Sequence, residues 1–163
     1  MTSPIPQSGV FLIKQFEDFS PTAYYDPLTG NLPITLGWGS TKNFDGKSFK
    51  ITDTINSQNA NILLDHQLEK DFLPTLSKIP YWGDMNEEMR GSLLSFSYNL
   101  GAGFYGDSNF NTITRVLKEK KWNEVPAALE LYRNPGSSVE KGLLRRRIAE
   151  GKLWMEGLKK LTK

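Results

Sequence analysis

The chain has 163 residues, of which 38% are hydrophobic and 12% aromatic, and its formal net charge at pH 7 is +2. Such a chain is long enough to bury a core of its own and has an ordinary composition for a soluble enzyme. It contains no cysteine and one histidine. Disulfides, a thiol nucleophile and cysteine-ligated zinc are therefore excluded, and a Ser-His-Asp triad is disfavoured. Acid, amide and hydroxyl side chains must carry any catalysis.

No apolar run approaches the roughly 20 residues that a membrane-spanning helix needs. The start of the chain is not a signal peptide, because Lys14, Gln15 and Glu17 interrupt its apolar stretch. We therefore expect a protein that is made in the cytoplasm or has been trimmed. The Ser- and Pro-rich first residues leave open that further domains precede this one.

The first half of the chain changes from helical to strand-like patterning. Residues 9–17 are predicted to form a helix, because their apolar residues follow helical spacing, and Pro21 is expected to stop it. Between residues 22 and 51, short aromatic and β-branched runs alternate with turn signals. This pattern predicts a small antiparallel sheet of two or three strands, with Asp45-Gly46 as its clearest hairpin turn.

The second half is predicted to be helical. A long helix is expected to begin with Thr54 or Ser57 as its N-cap, and Pro74 should kink or end it. Asn86 is predicted to cap the next helix and Gly101 to end it. Three further helices are predicted at residues 110–119, 123–132 and 139–161.

This order of elements predicts an α+β fold in a single domain. A small antiparallel sheet lobe covers about residues 18–55, and a larger helical lobe covers about residues 80–163 together with the N-terminal helix. A long helix, at about residues 55–78, joins the two lobes, and a cleft is expected between them.

Two carboxylates near the N-terminus are the first candidates for chemistry. Glu17 and Asp26 stand nine positions apart, the first at a helix end and the second on a hairpin. Two such groups can split a glycosidic bond, because one acid protonates the leaving oxygen and the other carboxylate handles water or the oxocarbenium ion. A general acid that works near neutral pH needs shielding from water, which aromatic residues near Glu17 would provide. They are Phe16, Phe19, Tyr24, Tyr25 and Trp38.

Each of these signals is weak alone. A glutamate at a helix end is usually a surface residue, and Asp-Pro, as at Asp26, is a frequent turn start. Gly37 and Gly39, taken by themselves, need indicate no more than a bulge or close packing.

Four segments, taken together, are similar to those of one enzyme family. The first is Glu17, eight residues, Asp26, and then Thr-x-Gly-x-Gly starting at Thr35. The others are SFSYNLGAGFYG at 95–106, KKWNEVPAAL at 120–129 and GLLRRRIAEGKLW at 142–154. In these segments the chain resembles the phage-type lysozymes, glycoside hydrolases that cut bacterial peptidoglycan. The resemblance spans roughly residues 9–158.

The resemblance implies a role for each of these residues. Glu17 would be the general acid, Asp26 the carboxylate that positions the attacking water, and Thr35 the hydroxyl that helps to hold this water. The positions expected to contact the substrate are Trp38, Tyr98, Asn99 and Arg145. The implied reaction is hydrolysis of the β-1,4 bond between N-acetylmuramic acid and N-acetylglucosamine, with inversion, without metal or cofactor. We expect a bacteriolytic monomer whose partner is peptidoglycan at the bacterial cell wall.

The chain departs from the family pattern in two places. Eight residues separate Asp26 from Thr35 where the family usually has five, so a longer turn could displace Asp26. Ser40 follows Gly39 where the family often has histidine, so an ionic tether made by that histidine is absent.

The C-terminal segment is basic. Residues 140–163 contain eight Lys or Arg against three Glu. Arg145, Arg146, Arg147 and Lys152 could attract an anionic cell wall, although a solvated helix face is an equally good interpretation. Nucleic-acid binding is disfavoured, because the aromatic residues are not interleaved with this charge. A non-catalytic wall-binding module stays open, as does a chitinase-like or transglycosylase activity on a related polymer.

Overall fold

The computed structural model describes residues 4–27 and 29–162. The chain divides into two compact units, one made of the residues up to Leu12 together with those from Asp71 onward, the other of Ile13–Lys70. In the described residues most elements are helices, and the named strands form one two-stranded sheet. The prediction of an α+β fold is confirmed. No helix within these ranges combines the length and apolar character needed to cross a bilayer.

The first helix, α1, leads directly into the sheet. It spans Gln7–Glu17 and ends before Asp18, whose φ of +58° lies in the left-handed region. The helix therefore ends before Pro21, which lies in the following strand and is not the residue that stops it. Strands β1 (Ser20–Tyr24) and β2 (Thr35–Gly37) pair antiparallel.

A small core supports the sheet within the unit Ile13–Lys70. Leu36, Phe49 and Leu63 are its buried residues. The predicted turn at Asp45-Gly46 is confirmed, since the Gly46 amide donates to the Asn43 carbonyl (2.9 Å) and Gly46 has a φ of +80°.

The long helix is continuous but irregular. Helix α2 (Ser57–Gln67) is followed by a π-helical turn, Leu68–Phe72, and by α3 (Leu73–Leu76). Its N-cap is Asn56, whose side chain accepts from the Asn59 amide at 2.7 Å. The predicted caps were therefore wrong: Thr54 forms an isolated β-bridge with Thr22, and Ser57 is already helical. The regular helix is interrupted just before Pro74, which cannot donate a helical hydrogen bond.

Helix α4 (Glu87–Leu100) contributes several fully buried residues to the other unit, among them Met89, Leu93, Leu94 and Phe96. The predicted cap at its start is confirmed, because the Asn86 side chain accepts from the Met89 amide at 3.2 Å. Gly101 follows its last residue with a φ of +115°, as predicted. The remaining helices are α5 (Asn111–Lys118), α6 (Val125–Glu130) and α7 (Glu140–Leu161), and α7 packs against α4 and α6.

Two glycines of α7 provide a matched test of this packing. A Cβ on Gly157 would lie 2.5 Å from Asn86 Oδ1 and 3.0 Å from the Met89 amide nitrogen. A Cβ on Gly142 would have only the Arg145 guanidinium within reach, at 3.9 Å. We predict that Gly157→Ala lowers the free energy of unfolding by about 1–3 kcal/mol, whereas Gly142→Ala raises it by about 0.5 kcal/mol. Urea denaturation measures both, and equal effects would contradict the described contact between α7 and the start of α4.

Candidate active site

Glu17 is the last residue of α1, and its side chain is half-buried. Its carboxylate lies directly against the backbone of Gly39, because a Cβ built on Gly39 would be 2.7 Å from Glu17 Oε1 and 3.2 Å from its Cδ. Gly39 also has a φ of +84°, which side chains rarely adopt. Glycine is thus required at this position for two reasons, and the close approach is the one that fixes where the Glu17 carboxylate can lie.

Tyr24 connects the predicted catalytic residues. Burial raises the pKa of its phenol, and the negative charges of Glu17, Asp18 and Asp26 raise it further. These three carboxylates are therefore close enough to Tyr24 to act on it electrostatically. Tyr24 is also the register partner of Thr35 across the sheet. The structure thus gathers Glu17, Asp26 and Thr35 around one tyrosine, which the sequence had indicated only as an aromatic neighbour.

The longer turn after Asp26 folds back on this residue. The Asp26 amide donates to the Asn31 carbonyl (2.8 Å), and the Gly30 amide donates to the Asp26 carbonyl (2.6 Å). The Thr29 hydroxyl donates to Asp26 Oδ2 at 3.1 Å. The extra residues therefore hold Asp26 at the start of a hydrogen-bonded turn. Thr29 was missed in the sequence, although a hydroxyl three positions after an aspartate in a turn is a signal for such a contact.

Thr35 opens β2 and is half-buried. Its hydroxyl donates to the Pro33 carbonyl at 3.4 Å. Because this hydrogen bond is long, it holds the hydroxyl only weakly. Thr35 is also the residue of β2 that pairs with Tyr24 of β1.

Trp38 is fixed from two directions. Its indole N–H donates to Asn61 Oδ1 of α2 at 2.8 Å, and its ring packs against Phe19 with 5.3 Å between centroids. The Lys14 ammonium lies 5.5 Å from the same ring. Asn61 was not predicted, because its contact with Trp38 joins residues 23 positions apart.

Tyr98 and Asn99 lie at the end of α4, in the unit that contains Asp71 and the residues after it. The Tyr98 ring packs against Phe72 at 5.4 Å. Asn99 Oδ1 accepts from the Arg147 guanidinium at 2.9 Å. Because arginine can only donate, the amide oxygen must face Arg147, and the Asn99 NH₂ group points to the other side.

The closing helix differs from the predicted basic surface. Arg146 and Arg147 are buried, with 3% and 0% exposure, so they are not part of an exposed cationic face. Arg146 Nε lies 3.3 Å from Glu150 Oε2, and Arg147 Nε lies 2.7 Å from Glu150 Oε1. Ser95 of α4 donates to Glu150 Oε2 at 2.6 Å. The pattern of charges along α7 could not reveal that one buried glutamate pairs with two arginines. Arg145, in contrast, is exposed, as predicted for a surface cation.

The described residues contain no group of three or more His, Asp or Glu placed to hold a metal ion. The side chains described above supply carboxylates, a phenol, hydroxyls and amides.

A carboxylate at the end of the first helix lies against the turn after β2, in a mostly helical chain with a small antiparallel sheet, as expected of a lysozyme-like fold. The family model for phage lysozyme matches residues 14–150. The chain belongs to the phage lysozyme family.

Known proteins are similar to this chain in sequence or in fold. An endolysin of Bacillus phage B103 is 27% identical over 155 residues, which are 94% of this chain and 54% of that protein. The structure of an endolysin from Escherichia coli O157:H7 phage FAHEc1 has a TM-score of 0.73 at 22% identity, covering 96% of this chain and 97% of that one. The muramidase domain of SpmX from Asticaccaulis excentricus has a TM-score of 0.70 at 25% identity, covering 93% and 97%. The chain spans about half the length of the curated phage relatives it matches.

The electrostatic surroundings of Tyr24 can be tested directly. We predict that Glu17→Gln and Asp26→Asn each lower the pKa of the Tyr24 phenol toward its ordinary value, because each removes a negative charge that opposes ionisation. Asp45→Asn, on the hairpin turn, should leave this pKa unchanged. The titration is followed by NMR of the tyrosine ring carbons as pH rises. A Tyr24 pKa that responds to none of the three substitutions, or equally to all, would contradict the described cluster.

Proposed function

We propose that this domain hydrolyses the β-1,4 bond between N-acetylmuramic acid and N-acetylglucosamine in bacterial peptidoglycan. The observation that carries the proposal is the Glu17 carboxylate, held against the Gly39 backbone beside a tyrosine that also lies within the field of Asp26. Membership of the phage lysozyme family supports the same reaction, as do the names endolysin and muramidase of similar proteins.

In this proposal Glu17 is the general acid. Its half-buried carboxyl protonates the glycosidic oxygen as the bond to the anomeric carbon breaks. The Gly39 backbone covers one side of the carboxylate, so this group has a restricted choice of orientations and of solvent contacts. Such pre-organisation favours proton transfer, because the acid need not be positioned anew for each substrate.

Asp26 and Thr35 are proposed to hold the attacking water. Asp26 accepts the proton that the water loses, and the Thr29 hydroxyl keeps its carboxylate in one orientation. The Thr35 hydroxyl can exchange its long bond to the Pro33 carbonyl for a bond to this water. Attack by a held water, with no covalent glycosyl-enzyme, inverts the configuration at the anomeric carbon.

Trp38, Tyr98, Asn99 and Arg145 are proposed to contact the glycan. The Trp38 ring is held by Asn61 and Phe19, which makes it a rigid apolar surface for a sugar ring. The Asn99 NH₂ group faces away from Arg147 and offers donors to a sugar hydroxyl or acetamide oxygen. The exposed Arg145 is suited to the carboxylate of the lactyl group or peptide on muramic acid.

The partner of the domain in this proposal is the peptidoglycan of the bacterial cell wall. The domain is proposed to act there as a monomer after synthesis in the cytoplasm, and to lyse the cell without a metal or cofactor. Hydrolysis yields reducing ends, whereas a transglycosylase leaves an anhydro-sugar end, so the product masses separate the two reactions.

The role of Glu17 is tested by removing its proton without changing its shape. We predict that Glu17→Gln lowers the rate of peptidoglycan lysis by about 10²–10⁴-fold while the free energy of unfolding stays nearly the same. The measurement is the loss of turbidity of purified peptidoglycan.

Asp18→Asn is the matched control for this substitution. It neutralises the adjacent carboxylate, and asparagine tolerates the left-handed backbone at this position. Lysis by Asp18→Asn should stay within about threefold of wild type, because this exposed carboxylate has no role in the proposed proton transfer. A folded Glu17→Gln variant that lyses peptidoglycan as fast as Asp18→Asn would overturn the assignment of the acid.

A further inference from the structure

A cavity lies within the unit Ile13–Lys70, apart from the catalytic residues. Its volume is about 240 Å³, and Leu36 is one of its lining residues. Leu36 follows Thr35 in β2, and successive side chains of a strand point to opposite faces. The cavity is therefore on the opposite face of β2 from Thr35, and it is not lined by Glu17 or Asp26.

The floor of the cavity is apolar and its rim is polar. Leu36 and Phe49 are only 2% and 4% exposed and form the floor. Asn43, Asp53 and Asn59 stand at the rim. This combination of an apolar floor with a few convergent polar groups is typical of small-molecule sites.

The rim groups offer both donors and acceptors. Asn43 uses its carbonyl oxygen to accept from the Phe44 amide (2.8 Å), which leaves its NH₂ group as a donor toward a ligand. Asp53 Oδ2 accepts from the Lys50 amide (2.8 Å), and its other oxygen remains an acceptor. The Asn59 side chain, in the first turn of α2, makes no hydrogen bond to another residue that the structure describes.

Phe44 forms one wall of the cavity and is 43% exposed. Its ring packs against His66 of α2 with 5.5 Å between centroids, and this contact restricts the rotation of the Phe44 side chain. An exposed phenylalanine next to a cavity leaves apolar surface in contact with water, which a ligand with an apolar face would cover.

We propose that this cavity binds one uncharged pyranose that carries an acetamido group, the N-acetylglucosamine unit of a glycan strand. Among the described residues that line it, Asp53 is the one with a charge, and none is a lysine or an arginine. Anionic ligands are thereby disfavoured, including muramic acid with its lactyl carboxylate. The volume is below the roughly 300–1,000 Å³ of pockets for larger ligands, which limits the site to a single ring.

The binding mode follows from the chemistry of the lining. The acetamide methyl group rests on Leu36 and Phe49, and the apolar face of the sugar ring covers Phe44. Asn59 and Asn43 donate to ring hydroxyls or to the acetamide oxygen, and Asp53 accepts from a hydroxyl. The choice of N-acetylglucosamine among uncharged acetamido sugars rests on the proposed function. The site would hold a second stretch of glycan while the catalytic residues act elsewhere on it.

The test is an amide NMR titration of the Glu17→Gln variant with methyl N-acetyl-β-glucosaminide. We expect saturable shifts at Phe44, Phe49 and Asn59, including the side-chain amide of Asn59. Two other sugars should bind with at least about fivefold lower affinity, as measured from the shifts of the same residues. They are methyl β-glucoside, which lacks the acetamide, and N-acetylmuramic acid, which carries a carboxylate.

Two variants and a control complete the experiment. Asn59→Ala and Phe44→Ala should each weaken binding at this site about five- to tenfold, the loss of one hydrogen bond or one ring contact. Phe11→Ala removes an even more exposed phenylalanine from α1 and should change nothing. Both site variants alter exposed side chains, and unchanged spectra outside the cavity confirm their fold.

The outcomes separate this site from the catalytic proposal. Absence of saturable shifts at Phe44 and Asn59, equal shifts with all three sugars, or shifts indifferent to both variants would overturn the site. Selective shifts in a protein whose wild type does not lyse peptidoglycan would support the site and overturn the proposed function alone.

Discussion

The contact between the Glu17 carboxylate and the Gly39 backbone is the constraint on which the candidate active site depends. It joins the end of α1 to the turn that follows β2, the strand that carries Thr35, and it is possible only because Gly39 has no Cβ. Asp18, in the left-handed region, ends α1 directly after Glu17 and turns the chain into β1. The pairing of Tyr24 with Thr35 then brings the remaining groups to the same place. One close approach, two positive φ angles and one strand pair thus account for the position of the acid.

A different kind of constraint operates in the unit that contains α4 and α7. Glu150 is fully buried between two arginines. Removing one partner of such a cluster costs more free energy of folding than the intact cluster contributes, because a buried charge is left uncompensated. This cluster also orients the side chain of Asn99. Arg147, held by Glu150, takes the carbonyl oxygen of Asn99 and leaves only donors on the other side. In the proposed glycan site, this amide would therefore donate to oxygen atoms of a sugar.

Local signals in the sequence were sufficient wherever the structure depends on neighbouring residues. The cap at Asn86, the end of α4 at Gly101 and the turn at Asp45-Gly46 are set by side chains and glycines that act on their own backbone. The cap of α2 was mistaken because Thr54, Asn56 and Ser57 are all capable of capping, and tertiary pairing of Thr54 with Thr22 decides among them.

Contacts between distant residues explain what the sequence did not reveal about the site. The spacing of Glu17, Asp26 and Thr35 drew attention to these residues, but spacing could not show that Gly39 covers the carboxylate or that Asn61 holds Trp38. The burial of Arg146 and Arg147 was missed because a run of three arginines looks like a solvated face until its buried partner, Glu150, is known. Spacing also could not show the hydrogen bonds that the longer turn makes with Asp26, through Thr29 and the turn amides.

The most direct measurement compares the lysis rates of Gly39→Ala and Gly46→Ala. Both glycines have a similar left-handed φ, of +84° and +80°, so the backbone strain introduced by alanine is matched at about 1–2 kcal/mol. Only at Gly39 would the new Cβ strike Glu17, since nothing lies within 4 Å of a Cβ on Gly46. We predict that Gly39→Ala lyses peptidoglycan about 100-fold more slowly than Gly46→Ala, at equal free energy of unfolding. Equal lysis rates in the two folded variants would contradict the claim that the Gly39 backbone positions the catalytic acid.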